Sequence, residues 1–184
     1  LEEPSATVPI KAEAWQRLGH VEWTSFDDPE TAAAAFQVAY RLDMLADEAP
    51  DRLVAEARAR TEAGQDDALE AWSRVARHVP AQLPLARVSQ ASLLLAAGDE
   101  FAALEHYEEA LATTDDDALR QVARLGAATC KERMGDLAAA IDDLMALIKH
   151  GVAEPVFLDR VAFGVADVGA HVQAEHLLVA EHAA

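Results

Sequence analysis

Histidines and acids are the first residues in this chain that could do chemistry. His171, His176 and His182 crowd the C-terminal stretch. Ligands carried on one helix share a face at i, i+4, and spacings of five and six spread these three around the axis. The run "TTDDDAL", with Asp115, Asp116 and Asp117, lacks the spaced acids, central glycine and closing glutamate of a calcium loop. It fits the start of a helix, where a carboxylate accepts from free backbone N–H groups. His106, beside Tyr107, has no zinc-ligand pattern around it. Cys130 is the only cysteine, which rules out an intrachain disulfide and a cysteine cage, and it reads as a small buried apolar residue of a helix. With no nucleophile beside a base, no carboxylate pair and no metal cluster, the sequence reads as non-enzymatic and free of cofactors.

The elements around these residues follow from composition. Of 184 residues 52% are apolar, enough for a core, while aromatics make up only 5% and alanine is abundant. That balance suits close helix-on-helix packing, so the expected class is all-α. A formal charge of −18 repels nucleic acid and anionic lipid headgroups. It serves solubility or matches a basic partner protein. Lysine is scarce and asparagine absent, a bias expected of a GC-rich, bacterial genome. No apolar run approaches the roughly 20 residues of a spanning helix, and "LEEPSATVPIK" lacks the basic start and apolar core of a leader. Membrane insertion is not expected, and the expected compartment is the cytoplasm.

A repeat organises the chain. Gly64, Gly98, Gly135 and Gly169 lie 34, 37 and 34 residues apart, and seven residues before each stands an alanine: Ala57, Ala91, Ala128 and Ala162. After each glycine comes a small residue and, one turn later, a bulky one: Ala68/Trp72, Ala103/Tyr107, Ala140/Leu144 and Ala174/Leu178. Two helices approach closely only where one offers a methyl and the other fills the gap, so these are steric partners across a hairpin. The glycines suit left-handed corners, with Asp66, Asp99 and Asp136 as N-caps of the helices that follow. A further copy without glycine opens the chain: "FDDPETAAAAF" supplies Asp28 as cap, Pro29 as first helical residue, then Ala32 and Phe36.

This pattern, with "WQRLG" from Trp15 to Gly19 and Pro80 closing a unit, resembles the tetratricopeptide repeat family. The resemblance implies a right-handed superhelical solenoid of ten helices paired as antiparallel hairpins. Its units lie near residues 12–48, 50–79, 82–114, 116–150 and 154–183, forming one domain over 12–183 behind an N-terminal segment, 1–11.

In that family the first helix of each pair lines a concave groove. Helical spacing then assigns to it Gln16, His20 and Trp23; Val54, Arg58 and Thr61; Val88, Ser92 and Leu95; Leu125, Thr129 and Glu132; and Asp159, Phe163 and Ala166. Its apolar middle, Val88, Leu95 and Leu125, suits a peptide or helix of a partner protein. A second surface is acidic: between Val88 and Leu119 stand Asp99, Glu100, Glu105, Glu108, Glu109, Asp115, Asp116 and Asp117, with no lysine or arginine. The expected function is therefore a protein-binding scaffold. The alternative is an oligomerisation module, or part of a larger protein, that assembles with further copies through its terminal repeat.

Overall fold

The computed structural model describes residues 7–149, and eight α-helices lie among them. They are α1 (Thr7–Ser25), α2 (Pro29–Leu42), α3 (Ala49–Glu62), α4 (Ala68–His78), α5 (Leu83–Ala96), α6 (Glu100–Thr113), α7 (Asp117–Arg133) and α8 (Leu137–Lys149). A 3-10 turn, Pro80–Gln82, precedes α5. Among the described residues there is no strand, and no helix is long and apolar enough to cross a membrane. Four of the expected hairpins are present. The fifth, with Asp159, Ala162, Phe163, Ala166, Gly169, Ala174, Leu178 and the three C-terminal histidines, lies outside the described residues. α1 begins at Thr7, earlier than the expected 12. Pro9 is no obstacle there, because N–H groups of a first turn have no intrahelical acceptor to lose.

The chain divides into two compact units, one ending at Ala86 and the other starting at Arg87. In the first, α1 packs on α2, α2 on α3 and α3 on α4. Phe36 of α2 is fully buried among Ala32, Ala33 and Ala59, with Trp23 and Ala55 at the edge. Gly19 explains how α1 comes so near: a Cβ there would lie 2.8 Å from Phe36 Cε1. His20 and Trp23 turn their rings edge-on to the same phenyl, with centroids 5.0 and 6.0 Å away.

In the second unit α5, α6 and α7 share one buried cluster: Val88, Ala91 and Leu95; Ala103, Tyr107 and Ala110; Ala123, Ala127 and Cys130. Tyr107 occupies the place that Phe36 holds in the first unit. Its neighbour is again a glycine, since a Cβ on Gly126 would collide with the Tyr107 ring. α8 packs on α7, and Lys131 Nζ reaches across to Asp143 Oδ2 at 2.7 Å.

The three corner glycines among the described residues, Gly64, Gly98 and Gly135, take positive φ, from 64° to 86°. The residue after each donates its N–H back to the ending helix: Gln65 to Arg60, Asp99 to Leu94 and Asp136 to Lys131. This closure satisfies carbonyls that would otherwise end the helix unpaired. Asp28, Asp99 and Asp136 cap the helices that follow, accepting from the N–H of Thr31, Ala102 and Ala139. Asp116 caps α7 as "TTDDDAL" suggested. Asp66 does not cap α4. The loop after Gly64 is two residues longer before the helix starts, so Asp67 takes the cap position, and its carboxylate pairs with Arg60 instead of the helix end.

Two glycine substitutions separate sterics from backbone strain. Gly126→Ala forces Tyr107 to move, and overpacking of this kind costs about 1–3 kcal/mol. Gly98→Ala meets no neighbour but strains a left-handed residue, a cost of about 1 kcal/mol. Urea unfolding should rank Gly126→Ala as the more damaging, and equal midpoints would contradict that close contact.

Candidate functional site

Three of the concave-face residues expected from sequence, Val88, Leu95 and Thr129, are buried. Val88 and Leu95 are 4% and 5% exposed and belong to the core that α5 shares with α6 and α7. They are not groove residues: α5 is apolar on several sides, and packing on two neighbours takes its i, i+7 stripe inward. Thr129 is buried as well and donates to the Leu125 carbonyl. Two other hydroxyls serve the hairpins themselves. Thr61 Oγ1 accepts from Trp72 Nε1 at 2.9 Å, and Ser92 Oγ lies 3.0 Å from Tyr107 OH. Each buried aromatic thereby satisfies its polar tip on the preceding helix. Trp23, half-buried, donates to Glu62 Oε2. Of the expected set His20 and Arg58 are exposed, and Gln16, Val54, Leu125 and Glu132 are half-buried.

Gln16 and His20 do open on a cavity. A cleft of about 340 Å³ lies between the face of α1 carrying Pro9, Ile10, Glu13, Gln16, Arg17 and His20, and the Asp43–Glu48 turn with the start of α3. These α1 residues recur every three or four positions and so share one side of the helix. Arg52 is the fixed element of the cleft. Its side chain is only 4% exposed. Nε donates to Gln16 Oε1 at 2.8 Å and Nη1 to the Asp43 carbonyl at 3.2 Å, while Nη2 stands 3.9 Å from Glu48 Oε2. The guanidinium thus joins α1, the turn and α3, and holds the Gln16 amide in place. Arg17 pairs with Glu13 one turn earlier on the open side. Ile10, Met44 and Leu45 leave much of their apolar surface in water around this region. Fixed polar groups beside exposed apolar ones suit recognition of a peptide, and no nucleophile with an adjacent base stands among the lining residues.

Behind the cleft lies a buried ionic network. Glu56, fully buried, accepts on Oε1 from Arg60 at 3.0 Å, Arg74 at 2.7 Å and Gln37 at 3.3 Å, so one carboxylate ties α2, α3 and α4. Its Oε2 is buried without a partner. Burial works against the charge of Arg60, but the hydrogen bond it donates to Asp67 and the charge of Glu56 outweigh it and raise its proton affinity. Sequence reasoning missed Arg52 and Glu56 because charges on a helix read as exterior. The one available signal was the i, i+4 spacing of Glu56 and Arg60.

The acidic surface is partly spent inside the fold. Arg87 grips Glu109 with Nε–Oε2 at 2.8 Å and Nη2–Oε1 at 3.2 Å, Asp117 pairs with Arg120, and Glu100 stands 3.9 Å from Arg133. Asp99 and Asp116 cap helices. Glu105, Glu108 and Asp115 are exposed. Two of these three cations lie just beyond the basic-free window, at 87 and 120, and the third at 133, which is why the stretch reads as unpaired in one dimension. Among the described residues no group of three His, Cys, Asp or Glu side chains is placed to hold a metal ion. No protein-family model matches this chain, and no curated protein matches it in sequence.

Two buried acids carry a pH signature. Burial pushes the Cys130 thiol up to about 11 and the Tyr107 phenol up to about 12, the latter only partly opposed by its hydrogen bond with Ser92. Both hold protons in the folded state that the unfolded chain releases from about pH 8.5 and pH 10 upward. Stability is therefore fully present below pH 8 and falls as pH rises toward 12, by roughly 2–3 kcal/mol for each group. Urea midpoints across this range should drop, first through Cys130 and then through Tyr107. Tyr107→Phe should flatten the second part, and a wild-type midpoint constant to pH 11.5 would contradict this placement.

Proposed function

We propose that this chain is a non-enzymatic, tetratricopeptide-like scaffold that binds a segment of another protein. The observation that carries the reading is the cleft beside α1, where Arg52 is locked in place by Gln16 and the Asp43 carbonyl. Pre-fixed donors lose little conformational freedom on binding, so such a site captures a peptide at low entropic cost. The glycine-cornered hairpins support the same reading. In the family they resemble, hairpins of this kind stack into a right-handed superhelix whose first helices line a peptide groove. The cleft offers Arg17, Arg52 and His20 alongside Glu13, Asp43 and Glu48. Its ligand is a peptide with an apolar anchor for Ile10 and neighbouring side chains of both signs.

The test is a displayed peptide library selected on the whole protein, followed by fluorescence polarisation with selected peptides. Ile10→Glu/Arg17→Glu changes only exposed side chains of the cleft and should keep the fold while weakening selected peptides at least tenfold. Affinity unchanged in that double variant would refute the cleft as the binding site.

A further inference from the structure

Arg52 has more donors than the fold uses. Its guanidinium carries five N–H bonds and no acceptor. The Nε bond goes to Gln16 Oε1, and one of the two on Nη1 goes to the Asp43 carbonyl. Glu48 Oε2 stands 3.9 Å from Nη2, near enough for charge attraction and too far for a hydrogen bond. The second N–H of Nη1 and both on Nη2 therefore have no acceptor among the described residues, on a side chain only 4% exposed. A cation so far out of water normally has its donors met. Nη2 is not sealed from every partner as Glu56 Oε2 is, so it reaches open space, and the space that Arg52 lines is the cleft.

Gln16 is in the same condition. Arginine can only donate, so the Gln16 atom that meets Nε is the amide oxygen, and the amide NH2 points away from the guanidinium. Its two N–H bonds also have no acceptor among the described residues, and Gln16 lines the same cleft. The contact between α1 and α3 thus fixes two side chains and leaves each with donors to spare.

We infer that Gln16 and Arg52 form a paired donor site for an uncharged main-chain carbonyl of the bound peptide, an inference that rests on the reading of the cleft as a peptide site. Charge selects the acceptor. The cleft sets Glu13, Asp43 and Glu48 against Arg17 and Arg52, and Arg17 is already paired with Glu13. That leaves one permanent cation, Arg52, beside two carboxylates, so an incoming anion gains no net attraction. A carbonyl oxygen takes the same charge-assisted hydrogen bonds without that repulsion, and takes them strongly where water is scarce. The Asp43 carbonyl on Nη1 is the same pairing made inside the fold.

The experiment uses the whole protein and a peptide selected on it, resynthesised as a series in which each main-chain amide in turn becomes an ester, whose carbonyl is the weaker acceptor. Fluorescence polarisation reads the series on the wild type and on Gln16→Glu. The new carboxylate still accepts from Arg52 Nε, can take Nη2 side-on, and has no donor of its own. One ester position should weaken binding to the wild type at least fivefold. Gln16→Glu should weaken the all-amide peptide at least tenfold, and at that position the ester should cost it less than twofold. The ester series leaves the protein unchanged, so it decides the matter by itself where Gln16→Glu disturbs the fold. A series flat within twofold overturns the carbonyl site; if Ile10→Glu/Arg17→Glu still weakens the same peptide, the cleft reading stands and only this inference falls. An ester penalty undiminished in a folded Gln16→Glu marks a lost peptide N–H and overturns it too. So does displacement of the peptide by acetate or inorganic phosphate where chloride of equal ionic strength has no effect, since the donors would then serve an anion.

Discussion

The closeness of two helices depends on a single steric exchange: where one side carries a ring, the other must carry almost nothing. Phe36 lies over Gly19, and Tyr107 lies against Gly126. In both units the ring is buried and the backbone facing it has no room for a methyl. The contact sets the separation of the helices, and the separation then decides which other residues can be large. Alanine fills the remaining close positions, as at Ala32, Ala91, Ala103 and Ala127, because anything longer would push the ring away. The abundance of alanine is the compositional trace of that geometry.

Once the ring is placed, its chemistry dictates neighbours. Trp72 and Tyr107 bring polar tips into a dry interior, and Thr61 and Ser92 answer them from the preceding helix. Phe36 brings none, and the edges of His20 and Trp23 complete its surroundings instead. The same economy governs charge. Glu56 is buried with Arg60 and Arg74 on one oxygen, an arrangement in which loss of either cation would leave a carboxylate short of compensation. Arg52 is held in the same manner by Gln16 and a backbone carbonyl. The first unit is thereby both an apolar sandwich and an ionic one.

Much of the fold was legible because its signals are local. Gly64, Gly98 and Gly135 announce their corners, Asp28–Pro29 and Asp116 announce helix starts, and Ala-x-x-x-bulky announces each second helix. The functional surface was less legible. Val88 and Leu95 satisfy a helical stripe as well as any groove residue would, but α5 is apolar on more than one side, and periodicity cannot say which side a neighbour takes. Arg52 and Glu56 look like solvent-facing charges until tertiary structure supplies Gln16, Asp43 and Arg74 from other elements. The cleft needs α1 and the turn after α2 together, an adjacency that no spacing rule contains.

Within each unit the contacts run between helices that are neighbours along the chain, α1 with α2, α2 with α3, α6 with α7, α7 with α8. Such a chain closes only short loops as it folds, and short loops close fast. During synthesis the α1–α2 hairpin is complete, ring against glycine, while everything beyond Leu42 is still to be made. Within each unit every later helix finds a finished surface to add to, so the order of translation is also a workable order of assembly.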